Sequence, residues 1–491
     1  MTEIEQIDVI LTKLHSNVPK DRLEATVSVR KVLSIENEPP INEVINFGIV
    51  PILHSFLQDS SFLELQFEAS WALTNIASGS SEQVHYLIQH GVIHTFLRLV
   101  NSPNSEICEQ CIWGLGNIIG DSSDCRDLVL KEGITDKLIQ LLSREEHKVS
   151  LMRNIAWTFS NMCRGSPRVD IDYILPLFPI FKRFLASTDT EIVVDTLWAI
   201  SFISEESVYD SLRRYSLIED VFQVLKTRKE SVFITPAFRV LGNLLSGDDL
   251  VTEFVLNCGV LDFMHLLLKS GKASLMKEGF WMLSNITSGT LAQITRVLDK
   301  GLIRLSMETG MNNSTPPDVK KEILWVVLNA INGGDAKHVD HLVTLDVVNY
   351  LNESIDIITR YYTSDLTKFY FDSLVTILRR GLQINSLKNP YILLFKQVNL
   401  IEKVLEIPRH THIDLHNLLE LYHCFEDDDN LDSTIINVKA LKVGDQYETD
   451  EVIDDDDDEY YYDDFDDDDD DDDNEFDDEQ NGDDDNEESD E

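Results

Sequence analysis

Basic residues are the scarce class in this 491-residue sequence: Lys and Arg number 41 against 88 Asp and Glu, a formal net charge of −47. A surface that negative repels phosphate backbones and anionic membranes, so neither nucleic acid nor membrane is expected as a ligand and a basic partner is. Long apolar runs are missing too. Nothing approaches the roughly eighteen uninterrupted apolar residues of a membrane span, and the opening MTEIEQIDVI is acidic where a signal peptide would be basic and then apolar, so a soluble, unexported chain is expected. Cysteine is sparse. Six residues (Cys108, Cys111, Cys125, Cys163, Cys258 and Cys424) are spread as in a reducing compartment rather than grouped as a disulfide framework. Cys108 and Cys111 form a C-x-x-C, but inside an apolar helical pattern with no second pair, which reads as core or surface thiols. His410, His412 and His416 in RHTHIDLH lack a third convincing ligand. No Gly-rich phosphate loop and no nucleophile elbow occurs, so no enzyme activity, cofactor or metal is expected.

What is present is repetition. All six Trp residues (Trp71, Trp113, Trp157, Trp198, Trp281 and Trp325) fall into one kind of segment, typified by FEASWALTNIASG and KEGFWMLSNITSG. Their successive intervals are 42, 44, 41, 83 and 44, and the double interval is filled by TPAFRVLGNLLSGDD, with Arg239 in the Trp position and Asn243 following. Each unit reads as short helix, turn with Gly, and longer helix, with apolar residues spaced three and four apart, which fits an α-solenoid of the armadillo or HEAT type. Stacking explains how so long a chain avoids needing one giant core. The expected division is N-terminal capping helices over 1–40, a repeat array over 41–425, a polar linker over 426–449 and an acidic tail over 450–491. That tail holds 29 acids among 42 residues and no Lys or Arg, so it is expected to stay disordered, and the rest of the chain carries 41 − 59 = −18.

In five units Asn follows the Trp by four residues: Asn75, Asn117, Asn161, Asn285 and Asn329. On a helix these pairs share a face, and the residue three before the Trp extends the stripe with Glu68, Gln110, Asn154, Asp195, Glu278 and Glu322. One Trp-x-x-x-Asn alone reads as helix packing. Its repetition does not, because a core Trp needs no amide one turn away. An exposed series of indoles makes slots for the alkyl stem of Lys or Arg, the amides suit an extended backbone, and the carboxylates suit its cationic heads. The inferred ligand is an extended, Lys/Arg-rich segment of another protein.

The phrases SWALTNIASG, WGLGNIIGDSSDCRDLV, WTFSNMCRG, GNLLSGDD and FWMLSNITSG, in an order of seven units with Arg replacing Trp in the fifth, resemble importin-α, the armadillo-repeat adaptor for nuclear localisation signals, over about residues 4 to 425. The resemblance implies an all-α, right-handed solenoid of about nine to ten armadillo repeats. It implies a major signal site at Trp71, Asn75, Gly79, Gln110, Trp113, Asn117, Asp121, Asn154, Trp157, Asn161, Asp195 and Trp198, with Gly79 and Asp121 taking the key lysine. A minor site follows at Arg239, Asn243, Asp249, Glu278, Trp281, Ser284, Asn285, Glu322, Trp325 and Asn329. Implied partners are proteins bearing basic nuclear localisation signals, and the implied location is cytoplasm and nucleus by shuttling, including the nuclear envelope. The chain departs from the family pattern in three places. Val84 stands where a Thr helps hold the key lysine, and Phe202 stands where Tyr is common. No basic importin-β-binding segment precedes the first helices, so binding without autoinhibition is expected, with importin-β or an export receptor engaged, if at all, through another surface. The tail reads either as a solubilising extension or as a means of attracting histones and other basic proteins. The rival reading is an acidic scaffold or histone chaperone that retains basic proteins without carrying them.

Overall fold

The computed structural model describes residues 3–35, 37–144, 147–228, 230–361, 363–385, 388–407 and 412–423. Among the described residues every regular element is a helix, and no single helix is long and apolar enough to cross a membrane. The linker 426–449 and the acidic segment 450–491 lie outside the described residues, as does His410 of the histidine group.

Two short helices and one longer helix make the recurring unit. It is seen as Ile41–Asn46, Ile49–Gln58 and Leu63–Ala77, then as Ser81–Gln89, Val92–Leu99 and Ser105–Asp121, and again as Ser123–Lys131, Ile134–Leu142 and Val149–Cys163. Between the two short helices the chain reverses through one left-handed residue: Gly48, Gly91, Gly133, Gly259 and Gly301 hold φ between +67° and +98°. Glycine adopts that region without steric cost, whereas Ser216, at the same place in its unit with φ 57°, carries a Cβ there.

The long helices stack on one another in chain order. They are α1 (Pro19–Leu33), α2 (Leu63–Ala77), α3 (Ser105–Asp121), α4 (Val149–Cys163), α5 (Thr190–Ile203), α6 (Ile234–Leu245), α7 (Ala273–Thr287), α8 (Pro317–Asn332), α9 (Ser364–Ile384) and α10 (His412–His423). From α2 to α6 more than half of the residues of each are buried. In α3, Ile107, Cys108, Cys111, Ile112, Leu115, Ile118 and Ile119 are buried, which leaves Gln110, Trp113 and Asn117 as the one stripe at helical spacing that the core does not take. The C-x-x-C points into that core. Cys108 Sγ lies 2.9 Å from the Val100 carbonyl oxygen, and burial pushes its thiol up to about 11.

One unit departs from the pattern. After α4 the first short helix is replaced by two single turns, Ile171–Tyr173 and Leu175–Leu177, in a stretch holding Pro167, Pro176 and Pro179, each of which removes a backbone donor. Arg126, fully buried, ties this stretch down: Nη1 donates to the Arg164 carbonyl and Nη2 to the Pro167 carbonyl, both at 2.8 Å, and Nε pairs with Asp127 at 2.9 Å.

Candidate functional site

The Trp residues of α2 to α8 and their Asn residues lie along the stripe left uncovered by the core, except Asn161, which was expected on the exposed series and is buried. Trp113 is the most open, 37% exposed, and the other five indoles are partly buried. For Trp157 and Trp281 a glycine explains that partial burial. A Cβ on Gly116 of α3 would stand 2.4 Å from Cζ3 of Trp157, and a Cβ on Gly242 of α6 would stand 2.9 Å from Cζ3 of Trp281, so each ring lies against the backbone of the preceding long helix.

The asparagines have a structural task beside any binding one. Nδ2 of Asn117 donates to the Thr74 carbonyl, that of Asn161 to Gly116, that of Asn243 to Ser201 and that of Asn329 to Ser284, at 2.9 to 3.2 Å, each amide reaching the helix before it. Asn75 Nδ2 donates to Ser34 Oγ at 2.9 Å. One N–H of each amide is thus taken, leaving a second N–H and Oδ1. Asn285 differs, since its Nδ2 is buried and has no partner; Gln110 Oε1 is a buried acceptor in the same condition. Ser284 is buried with its hydroxyl donating to the Trp281 carbonyl at 2.8 Å.

The carboxylates of the stripe are held out of water. Burial, with Glu191 one turn away, pushes Asp195 up to about 7. Burial also raises Glu322 and Glu278; Arg239, 3.0 Å from Glu278, draws the latter part of the way back. Among the described residues no ion pair joins Asp195 or Glu322 to a cation. Asn154 Nδ2 reaches Glu109 at 3.4 Å, and Trp198 stacks on Phe202 with ring centroids 6.0 Å apart.

Gly79 and Asp121, 42 residues apart, come together through Ser81, whose Oγ donates to Asp121 Oδ2 at 3.0 Å. Gln83 folds back to accept from Ser80 N at 2.8 Å, and a Cβ on Gly79 would lie 2.0 Å from Gln83 Oε1, so a side chain there would displace that amide. The same box, Thr290 with Gln293, recurs beside exposed Asp249, whose carbonyl accepts from Gln293 Nε2 at 3.0 Å. Val84 is 1% exposed, so its side chain belongs to the core.

Two further members lack the Trp that marks the others. Arg30 of α1 stands 41 residues before Trp71; its guanidinium carbon is 4.2 Å from the indole centroid and its Nε 2.9 Å from Glu68 Oε2. Phe369 of α9 stands 44 residues after Trp325 and meets it edge-on at 5.5 Å. Counting one interval outward from each end of the Trp series would have found both.

Armadillo/beta-catenin-like repeats match residues 37–78, 80–120 and 122–164. Importin subunit alpha-1b of Oryza sativa subsp. japonica is 39% identical over 282 residues, 57% of this chain and 52% of the relative. Importin subunit alpha-5 of Arabidopsis thaliana is 34% identical over 348 residues, 70% of this chain and 66% of the relative. The chain belongs to the importin-α family. In the matches to the rice proteins it spans about half the length of the relative. The crystal structure of an engineered protein superimposes with a TM-score of 0.72 at 21% identity, over 86% of this chain and 99% of that one, and shares the fold alone. The all-α armadillo solenoid expected from the repeats is therefore the fold of this importin-α relative, with ten long helices in the described residues against the nine to ten repeats expected.

Proposed function

We propose that the chain binds Lys/Arg-rich nuclear localisation signals of cargo proteins along the Trp/Asn stripe and acts as a non-enzymatic adaptor in nuclear protein import, shuttling between cytoplasm and nucleus with importin-β as a transport partner. The observation that carries this reading is the combination of partly exposed indoles with desolvated carboxylates, Asp195 and Glu322, that no cation among the described residues joins in an ion pair. An extended peptide supplies what each group lacks. Lys and Arg stems lie between indoles, their charged heads reach the carboxylates, and the peptide backbone meets the amides of the partly exposed asparagines Asn75, Asn117, Asn243 and Asn329. Arg239 divides the stripe into a stretch from Trp71 to Trp198 and one from Trp281 to Trp325, suited to the two basic clusters of a divided signal.

A fluorescent lysine-rich peptide (PKKKRKV) titrated against the full chain tests this. Binding at micromolar concentration or tighter is expected, with at least about tenfold loss in Trp113→Ala, equal to about 1.4 kcal/mol. Absence of binding, or binding that ignores Trp113→Ala, would overturn the reading.

A further inference from the structure

One side-chain cluster beside the stripe has a chemistry that a lysine site does not need. Cys125, on the helix Ser123–Lys131, His85, on the helix Ser81–Gln89, and Asp121, at the end of α3, bring a sulfur, an imidazole nitrogen and a carboxylate oxygen within 4.8 Å of one another. We propose that His85, Asp121 and Cys125 form a binding site for a zinc ion, and that zinc and a peptide lysine compete for Asp121. The competition rests on the function proposed above; the metal site does not.

The distances fit the ion. Bonds of about 2.3 Å to sulfur and about 2.0 Å to oxygen, opened to a tetrahedral angle, set those two ligands about 3.5 Å apart. Cys125 Sγ and Asp121 Oδ2 are 3.5 Å apart. A thiol hydrogen bond has the same length, so the other two members decide. His85 Nδ1 is held 2.8 Å from the Ser81 carbonyl, which keeps the proton on Nδ1 and the lone pair on Nε2. Ser81 Oγ fixes the carboxylate at 3.0 Å. Backbone and hydroxyl partners of this kind orient metal ligands from behind. His85 is exposed and Asp121 partly so, which leaves a way in from solvent, and the exposed imidazole can swing to close the widest edge. Cys125 is buried against the carboxylate, an arrangement that opposes a thiolate until a cation stands between them. On binding, the Cys125 thiol loses its proton to solvent as the Zn–S bond forms, and the fourth position stays open for water.

Cobalt(II) titrated into the reduced full chain reads the site directly, because a thiolate ligand gives a near-ultraviolet charge-transfer band that the carboxylates of 450–491 cannot. The expected result is a band saturating at one equivalent, absent in Cys125→Ser and requiring at least tenfold more metal in His85→Ala. No band in the wild type, or an undiminished one in Cys125→Ser, would overturn the site. With PKKKRKV as probe, saturating zinc is expected to weaken peptide binding at least tenfold in the wild type and to leave Cys125→Ser unaffected. Equal affinity with and without zinc in the wild type would overturn the competition. A zinc-free protein that ignores the peptide would instead overturn the proposed function, and the cobalt spectrum would stand by itself.

Discussion

Arg30 does at Trp71 what a ligand cation is proposed to do elsewhere: it stacks on the indole and pairs with the carboxylate beside it. Removing it should therefore have two opposite effects. Arg30→Ala leaves partly buried Glu68 without its cation, at a cost on the order of 1 to 3 kcal/mol of stability, while freeing the first indole for a peptide residue. A series of basic peptides of increasing length, measured beside thermal unfolding, should show the longest ones gaining affinity as the melting temperature falls. Asp195 gives the pH dependence. Its folded value, pushed up to about 7, lies above that of an unfolded carboxylate, so the folded chain holds the proton longer. Its stabilising contribution is present at low pH and declines as pH rises through this window to about 7. Peptide binding has the reverse sign, since an ammonium beside Asp195 expels the proton. Affinity for the lysine-rich peptide should rise between about pH 6 and pH 8, and Asp195→Asn should flatten that rise in a titration series.

Within the repeating units, glycine acts in two different ways, and substitution separates them. Gly301 holds φ +69° with open space around it, so Gly301→Ala costs about 1 kcal/mol through the backbone alone and should lower the melting temperature without touching peptide affinity. Gly116 sits mid-helix, where alanine favours the helix by about 1 kcal/mol, but its Cβ would collide with the Trp157 ring. Gly116→Ala should weaken the peptide more than it weakens the fold, as calorimetric binding and unfolding on one sample would show. At this scale the sequence was informative where chemistry repeats and silent where geometry does. The indoles were legible because Trp is rare and its period unmistakable. Arg30 and Phe369 keep the period but change the residue type. His85 and Asp121 lie 121 − 85 = 36 residues apart, about one repeat, and only stacking of neighbouring units brings them together. The inter-helix amide bonds were likewise hidden: Asn one turn from Trp looked like a binding pattern alone, and the structure shows that one N–H already serves the stack.

For the whole molecule, the charge of −47 divides into −29 on residues 450–491 and −18 on the remainder. Fields from so many like charges act over about 10 Å at 0.1 M salt and steer encounters more than they hold complexes together. Deleting residues 450–491 should slow association of a basic peptide at low ionic strength, reduce the salt dependence of that rate, and leave dissociation unchanged; stopped-flow mixing at several salt concentrations measures all three. The seven-unit order, the Arg in the fifth unit and the fold class were legible at this scale. The unit built of single turns after α4 was less so, since its prolines forbid a regular helix without saying what fills the space, and the answer, Arg126, lies 41 residues before Pro167.

The unpartnered amide of Asn285 has a mechanical meaning. From α2 to α4, between α5 and α6, and between α7 and α8, an asparagine clasps each long helix to its predecessor. Between α6 and α7 the clasp is open, and the Arg239–Glu278 ion pair and the Trp281 ring against Gly242 take its place. Strain reaching that joint is therefore borne by an ion pair and a ring contact rather than by an amide clasp, and because the joint lies between the two basic-peptide stretches, giving way there would change their separation while leaving each one intact.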